Sequence, residues 1–125
     1  MKSRGNLVRL KQFQVNEKRR QLSQLDLMIA EFDRMAAELD AQISIEEKRS
    51  GISDINHFAY PTFAKAARQR RDNLNNSRLD LLHQKGAAEA GLSEAEAELE
   101  KAEHLENRDA RVRDAETDLR RAIVG

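Results

Sequence analysis

Apolar residues recur at every seventh position from Val8 through Val15, Leu22, Ile29, Ala36 and Ile43. A second series, Leu25, Phe32 and Leu39, lies three residues after the later members of the first. Together they fill the a and d positions of a heptad repeat, which keeps both on one face of an α-helix. Lys11, Lys18 and Glu46 hold the same d position towards the two ends. Their stems can lie along the seam while their charges reach water. Met28 and Met35 widen the stripe on one flank. The pattern predicts one helix over about residues 6–49, roughly 65 Å long at a rise of ~1.5 Å per residue. No small core covers a helix of that length, so it calls for a partner helix.

The periodicity breaks at KRSGISDINHFAYP, residues 48–61. Lys48 and Arg49 suit a helix C-terminus, where backbone carbonyls are unsatisfied, and Gly51 can take the left-handed conformation that ends a helix. Ser53 or Asp54 can cap a short turn through Phe58, and Pro61 suits a first helical turn, which tolerates a missing N–H. Beyond the break the seven-residue step resumes at Ala67, Leu74, Leu81, Ala88, Ala95 and Ala102. Leu92 and Leu99 fill the companion position late in this stretch, and Arg71, Arg78 and Lys85 hold it early. A second helix is expected over about 61–121, with a connection over about 50–60. Its seam is thinner, and Gly86, Gly91 and the NLNNS stretch lower its intrinsic stability, by up to ~1 kcal/mol per glycine relative to alanine. After Ala102 the register shifts to Leu105, Val112 and Leu119.

Charge decides how the two helices meet. Residues 1–25 carry seven basic side chains and one acid, whereas residues 26–47 carry seven acids and Arg34. The second helix repeats that order, with five basic residues against Asp72 over 65–78 and seven acids against Lys101 over 86–107. Folding back at the break sets basic against acidic over both halves, whereas a parallel arrangement sets like against like. An exposed pair is worth only about 0.2–1 kcal/mol, yet the wrong orientation repels along its whole length. The expected fold is all-α, a long two-helix antiparallel coiled-coil hairpin, with 1–125 as a single domain. A fold-back near residue 56 puts Val8 opposite about residue 104, so roughly the last 20 residues overhang. That tail carries Arg108, Arg111, Arg113, Arg120 and Arg121 beside Leu105, Val112, Leu119, Ile123 and Val124. It is either a frayed end or a helix that orders inside a partner.

Composition narrows the function. Of 125 residues, 35% are charged and 4% aromatic, with one proline, no cysteine and a formal net charge of zero. A zero net charge argues against nucleic acid as a partner. The lack of cysteine excludes a disulfide scaffold. No apolar run approaches the ~18 residues of a membrane span, and no signal-peptide core opens the sequence, so a cytoplasmic protein without membrane insertion is expected. KQFQVNEKRRQ resembles a basic amphipathic helix, but the seam claims its apolar face. No nucleophile constellation or phosphate loop is present. His57, His83 and His104 are far apart, the last two roughly 30 Å along one helix, and read as surface histidines. Glu94, Glu96, Glu98 and Glu100 point in different directions at two-residue spacing, which suits a solvated face opposite a basic block. Asn75-Asn76-Ser77 matches a glycosylation sequon but lies within a helix. Neither an enzyme nor a cofactor or metal is expected.

The opening MKSRGNLVRLKQFQVNEKRRQ, the break and the YPTF that starts the second helix together resemble the flagellar export protein family FliJ. RLKQFQVNEKRRQLSQLD is similar to that family's first helix, and Tyr60-x-x-Phe63 is similar to the aromatic motif opening its second. The likeness covers essentially the whole chain. It implies a stalk similar to those of rotary ATPases and of injectisomes, part of a type III secretion apparatus that serves flagellum biogenesis. The end bearing both termini would enter the pore of the hexameric export ATPase FliI, through Arg108, Arg111, Val112, Leu119 and Arg120. The start of the second helix would contact the export-gate protein FlhA through Tyr60, Phe63 and Ala67. Export chaperones would be escorted, in the cytoplasm and peripheral to the membrane-embedded gate. Arg70 and Leu74 depart from the small and histidine residues expected on that face. Tyr60 and Phe63 are either anchors for a partner or, with Phe58, a plug closing the coiled coil against Ile43, Ile52 and Ile55. Other readings are a generic coiled-coil adaptor or spacer unrelated to an ATPase, and a homodimer in which the break is a hinge.

Overall fold

A computed structural model describes residues 2–124, with side chains over 5–124. It is an all-α helical hairpin of two helices, α1 (Lys2–Ser50) and α2 (Thr62–Val124). α1 starts four residues earlier than the heptad pattern predicts. α2 runs to Val124 as continuous helix, so the tail is helical and not frayed. Lys2 and Arg4 of the first basic block lie outside the described side chains.

The contacts divide the chain into two units. One joins α1 up to Leu22 with α2 from Ala87 onward, and the other is Ser23–Gly86. In the second unit the register is written in ion pairs. Asp26 meets Lys85 at 2.7 Å, Asp33 meets Arg78 at 3.2 Å and Asp40 meets Arg71 at 2.9 Å. Seven residues forward on α1 therefore correspond to seven backward on α2, the signature of an antiparallel coiled coil. In the first unit Lys11 meets Glu98 at 2.9 Å and Arg19 meets Glu96 at 3.7 Å. Basic meets acidic in both units, as the charge blocks predict, and Glu96 and Glu98 of the carboxylate run face the first basic block.

Burial follows the heptads. Val15, Ala36 and Ile43 of α1 and Ala64, Ala67, Leu81, Ala95 and Ala102 of α2 are buried. The register puts Val15 level with Ala95 and Ile43 level with Ala67, so a large residue faces a small one and the helices can approach closely. Alternate levels carry one basic stem and one apolar side chain: Lys11 with Leu99, Leu25 with Lys85, Leu39 with Arg71. Arg71 and Arg78 are partly covered there while their guanidinium groups reach the Asp row. Hydrogen bonding to Asp40 raises the Arg71 pKa further above its ordinary value, so the charge in this layer is permanent.

The connection is built from short polar bonds. The Gly51 N–H donates to the Glu47 carbonyl at 2.9 Å, with φ at +73°. An L-residue with a side chain rarely adopts that angle, and glycine ends the helix there without strain. Asp54 forms the turn: its Oδ1 accepts from the Asn56 N–H at 3.0 Å and its carbonyl from the His57 N–H at 3.1 Å. The Pro61 carbonyl accepts from the Lys65 N–H, so Pro61 caps α2 from just outside it.

Candidate functional site

The aromatic cluster at the connection separates into two kinds of side chain. Tyr60 is 8% exposed. Its hydroxyl donates to Glu47 Oε2 at 2.9 Å and accepts from Arg68 Nε at 2.8 Å, while Arg68 Nη2 donates to the same carboxylate oxygen at 2.9 Å. This triangle ties the last turn of α1 to the first turns of α2 across the connection. The hydrogen bond from Arg68, and then that from Tyr60, holds the Glu47 carboxyl below the usual carboxylate range. Tyr60 is therefore the plug, and its ring and hydroxyl are committed inside the hairpin. Ala67 is likewise buried in the seam.

Phe58 and Phe63 behave differently. Phe58 is 97% exposed, and apart from its stack on the neighbouring His57 ring, 4.7 Å between centroids, its surface faces solvent. It is not part of a plug. Phe63 is 56% exposed on the first turn of α2. Seven and fourteen residues further, on the same helix row, stand Arg70 and Ser77. These two line an open groove of about 570 Å³ together with Met35, Leu39, Gln42 and Leu74. Met35, Leu39 and Leu74 give the groove its apolar lining, and Glu38, Gln42, Arg70, Asn73 and Ser77 a polar lining of similar extent. Of the residues assigned to a gate contact, Phe63 alone presents surface. The groove was not legible in the sequence, which places Met35 and Leu74 at the seam but does not show where it opens.

In the other unit, Arg108, Arg111, Val112, Leu119 and Arg120 are all exposed on α2; the register puts Arg108 level with the start of α1 and the other four beyond it. Val112, Leu119, Ile123 and Val124 have no covering helix and are each more than half exposed. Nearer the hairpin, Leu105 is only partly exposed and shares an apolar groove with Lys101, His104 and Arg108. The sequence signal for this surface was the register shift after Ala102.

Among the described residues no cluster of three or more His, Asp or Glu side chains is placed to hold a metal ion, and no helix is long and apolar enough to cross a membrane. His57 is used locally, its Nδ1 accepting from the Ala59 N–H at 3.0 Å. No family model, no curated protein and no solved structure matches the chain.

Proposed function

We propose that this chain is a FliJ-like coiled-coil stalk of a flagellar type III export apparatus, linking the hexameric export ATPase FliI to the gate protein FlhA and escorting export chaperones. The reading rests on the resemblance of the first helix and of the YPTF start of α2. The hairpin supplies the architecture such a stalk needs, and both regions assigned to partners carry exposed apolar surface. The observation that supports it most directly is the division of labour at the connection. Tyr60 holds the two helices together, which leaves Phe63 half-exposed on the first turn of α2, two turns ahead of the groove that Arg70 and Leu74 line. A half-exposed aromatic held on a rigid helix is the kind of residue that dominates binding energy once desolvated.

Capture assays with the purified gate and ATPase proteins test the reading, using the wild type and Phe63→Ala. The expected result is capture of both partners by the wild type. Phe63→Ala should reduce gate binding at least tenfold, about 1.4 kcal/mol, with the melting temperature of the hairpin unchanged and ATPase binding intact. A melting temperature that collapses while gate binding falls only in proportion would remove the anchor role. Failure to capture either partner would leave a general coiled-coil adaptor as the reading.

A further inference from the structure

The uncovered end of α2 carries a seam of its own. Leu105, Val112 and Leu119 recur every seven residues, and Arg108, Ala115 and Ala122 follow each by three. This row is rotated around α2 away from the side that meets α1, and from Val112 onward its described residues are exposed. Its composition repeats the two rules that build the hairpin: a large residue level with a small one, and a basic stem level with a leucine.

We infer that this row is the docking surface for a second copy of the same chain, packed antiparallel, tail on tail. Apply the hairpin's register to two identical tails, centred between residues 113 and 114. Val112 of each copy then lies level with Ala115 of the other, Leu105 with Ala122, and Arg108 with Leu119. Every level repeats a pairing already present between α1 and α2, such as Val15 with Ala95 or Lys11 with Leu99. The charges agree as well. Asp118 of one copy comes beside Arg108 of the other, in the relation that Lys11 and Glu98 hold at 2.9 Å within the hairpin, and beside Arg111 across the flank of the seam. Two-fold symmetry makes this four attractive contacts, against two like-charge meetings of Glu116 with Asp109 of the other copy.

A second observation marks the landing point. The groove beside Leu105 is lined by Lys101, His104, Leu105 and Arg108. These are positions i, i+3, i+4 and i+7, the four residues that make the hole for a knob from a facing helix. In the antiparallel register the Ala122 methyl of the second copy lies over that hole. The inference does not rest on the export reading, because it uses only the tail's own seam and charges.

Two charge variants test it. One chain carries Arg108→Asp and Arg111→Asp, so that acids face Asp118. The other carries Asp118→Arg, so that three arginines meet. All the altered side chains lie on the exposed tail, and the melting temperature of each hairpin checks that the fold is intact. Mass is read by light scattering or sedimentation over a concentration series. The wild type is expected to shift from 14.3 kDa towards twice that mass as concentration rises. Each variant alone should remain monomeric, and an equimolar mixture of the two should regain the dimer. A wild type that stays monomeric throughout, including one whose tail is bound only by the export ATPase, overturns the inference. So does a variant that dimerises alone, or a mixture that fails to recover.

Discussion

At the residue scale, two positions at the end of α1 decide whether the chain turns. Gly51 sits at φ +73° with no heavy atom near enough to be met by an added methyl. Gly51→Ala therefore tests backbone strain alone. The expected loss is about 1–2 kcal/mol, read from the urea midpoint, with the helical content of the folded state unchanged. Glu47 is the second position. Its carboxyl is held below its unfolded value, first by the Arg68 hydrogen bond and then by the Tyr60 hydroxyl. A group with a depressed folded pKa adds stability that is fully present above the unfolded carboxylate value. That stability is lost as the pH falls through the folded value. Glu47→Gln should accordingly lower the melting temperature at neutral pH. The gap to the wild type should then close in acid below the carboxylate range; a gap that is constant with pH would show that the carboxylate charge plays no part. At Phe63, the capture assay asks whether an exposed ring contributes to binding and not to folding.

At the element scale, the seam of α2 is an unusual mixture. Its small residues let the helices approach, while Arg71, Arg78 and Lys85 occupy positions that leucine would fill more favourably. Their stems cover apolar surface and their charges reach Asp40, Asp33 and Asp26. Partly exposed pairs of this kind add little to stability, but they permit one register and one direction. Replacing all three by leucine should raise the melting temperature, because apolar area is buried at no cost in desolvated charge. The same change should broaden the mass distribution to include oligomers, since the restriction on partner and register is gone. Thermal melting and sedimentation of the triple variant check both halves. A triple variant that is more stable and still strictly as assembled as the wild type would show that the small-residue levels alone set the register.

At the scale of the whole chain, the two units depend on different parts of the sequence. Ser23–Gly86 is closed by the connection, whereas the other unit draws on α1 up to Leu22 and α2 from Ala87. From Arg111 onward the described residues are all exposed, and the ion pair that Arg113 makes with Glu106 at 3.6 Å stays within α2. Ending the chain after Arg108 should therefore leave the urea midpoint of the hairpin within about 0.5 kcal/mol of the wild type. It should also abolish concentration-dependent association. A large fall in stability on truncation would mean that the tail supports the hairpin itself.

Much of this fold was legible from periodicity and charge. A heptad series states which face of each helix is apolar, and opposed charge blocks state which direction the partner runs. Both are local, repetitive signals that survive without coordinates, and a fold-back near residue 56 follows from them to within about a residue of the Asp26–Lys85, Asp33–Arg78 and Asp40–Arg71 ladder. The overhang of the tail follows from the same arithmetic. The fate of the aromatics does not. Phe58, Tyr60 and Phe63 lie in a segment with no period, so nothing in their spacing says which turns inward. Only the folded chain brings Glu47, thirteen residues earlier, and Arg68, eight residues later, within hydrogen-bonding distance of one tyrosine hydroxyl. The phenylalanines have no polar atom with which to join that network. The sequence by itself determined the helices, their direction and their seam; the tertiary structure chose the ring that closes the hairpin, because that choice depends on long-range polar partners, and left the other two rings to the solvent.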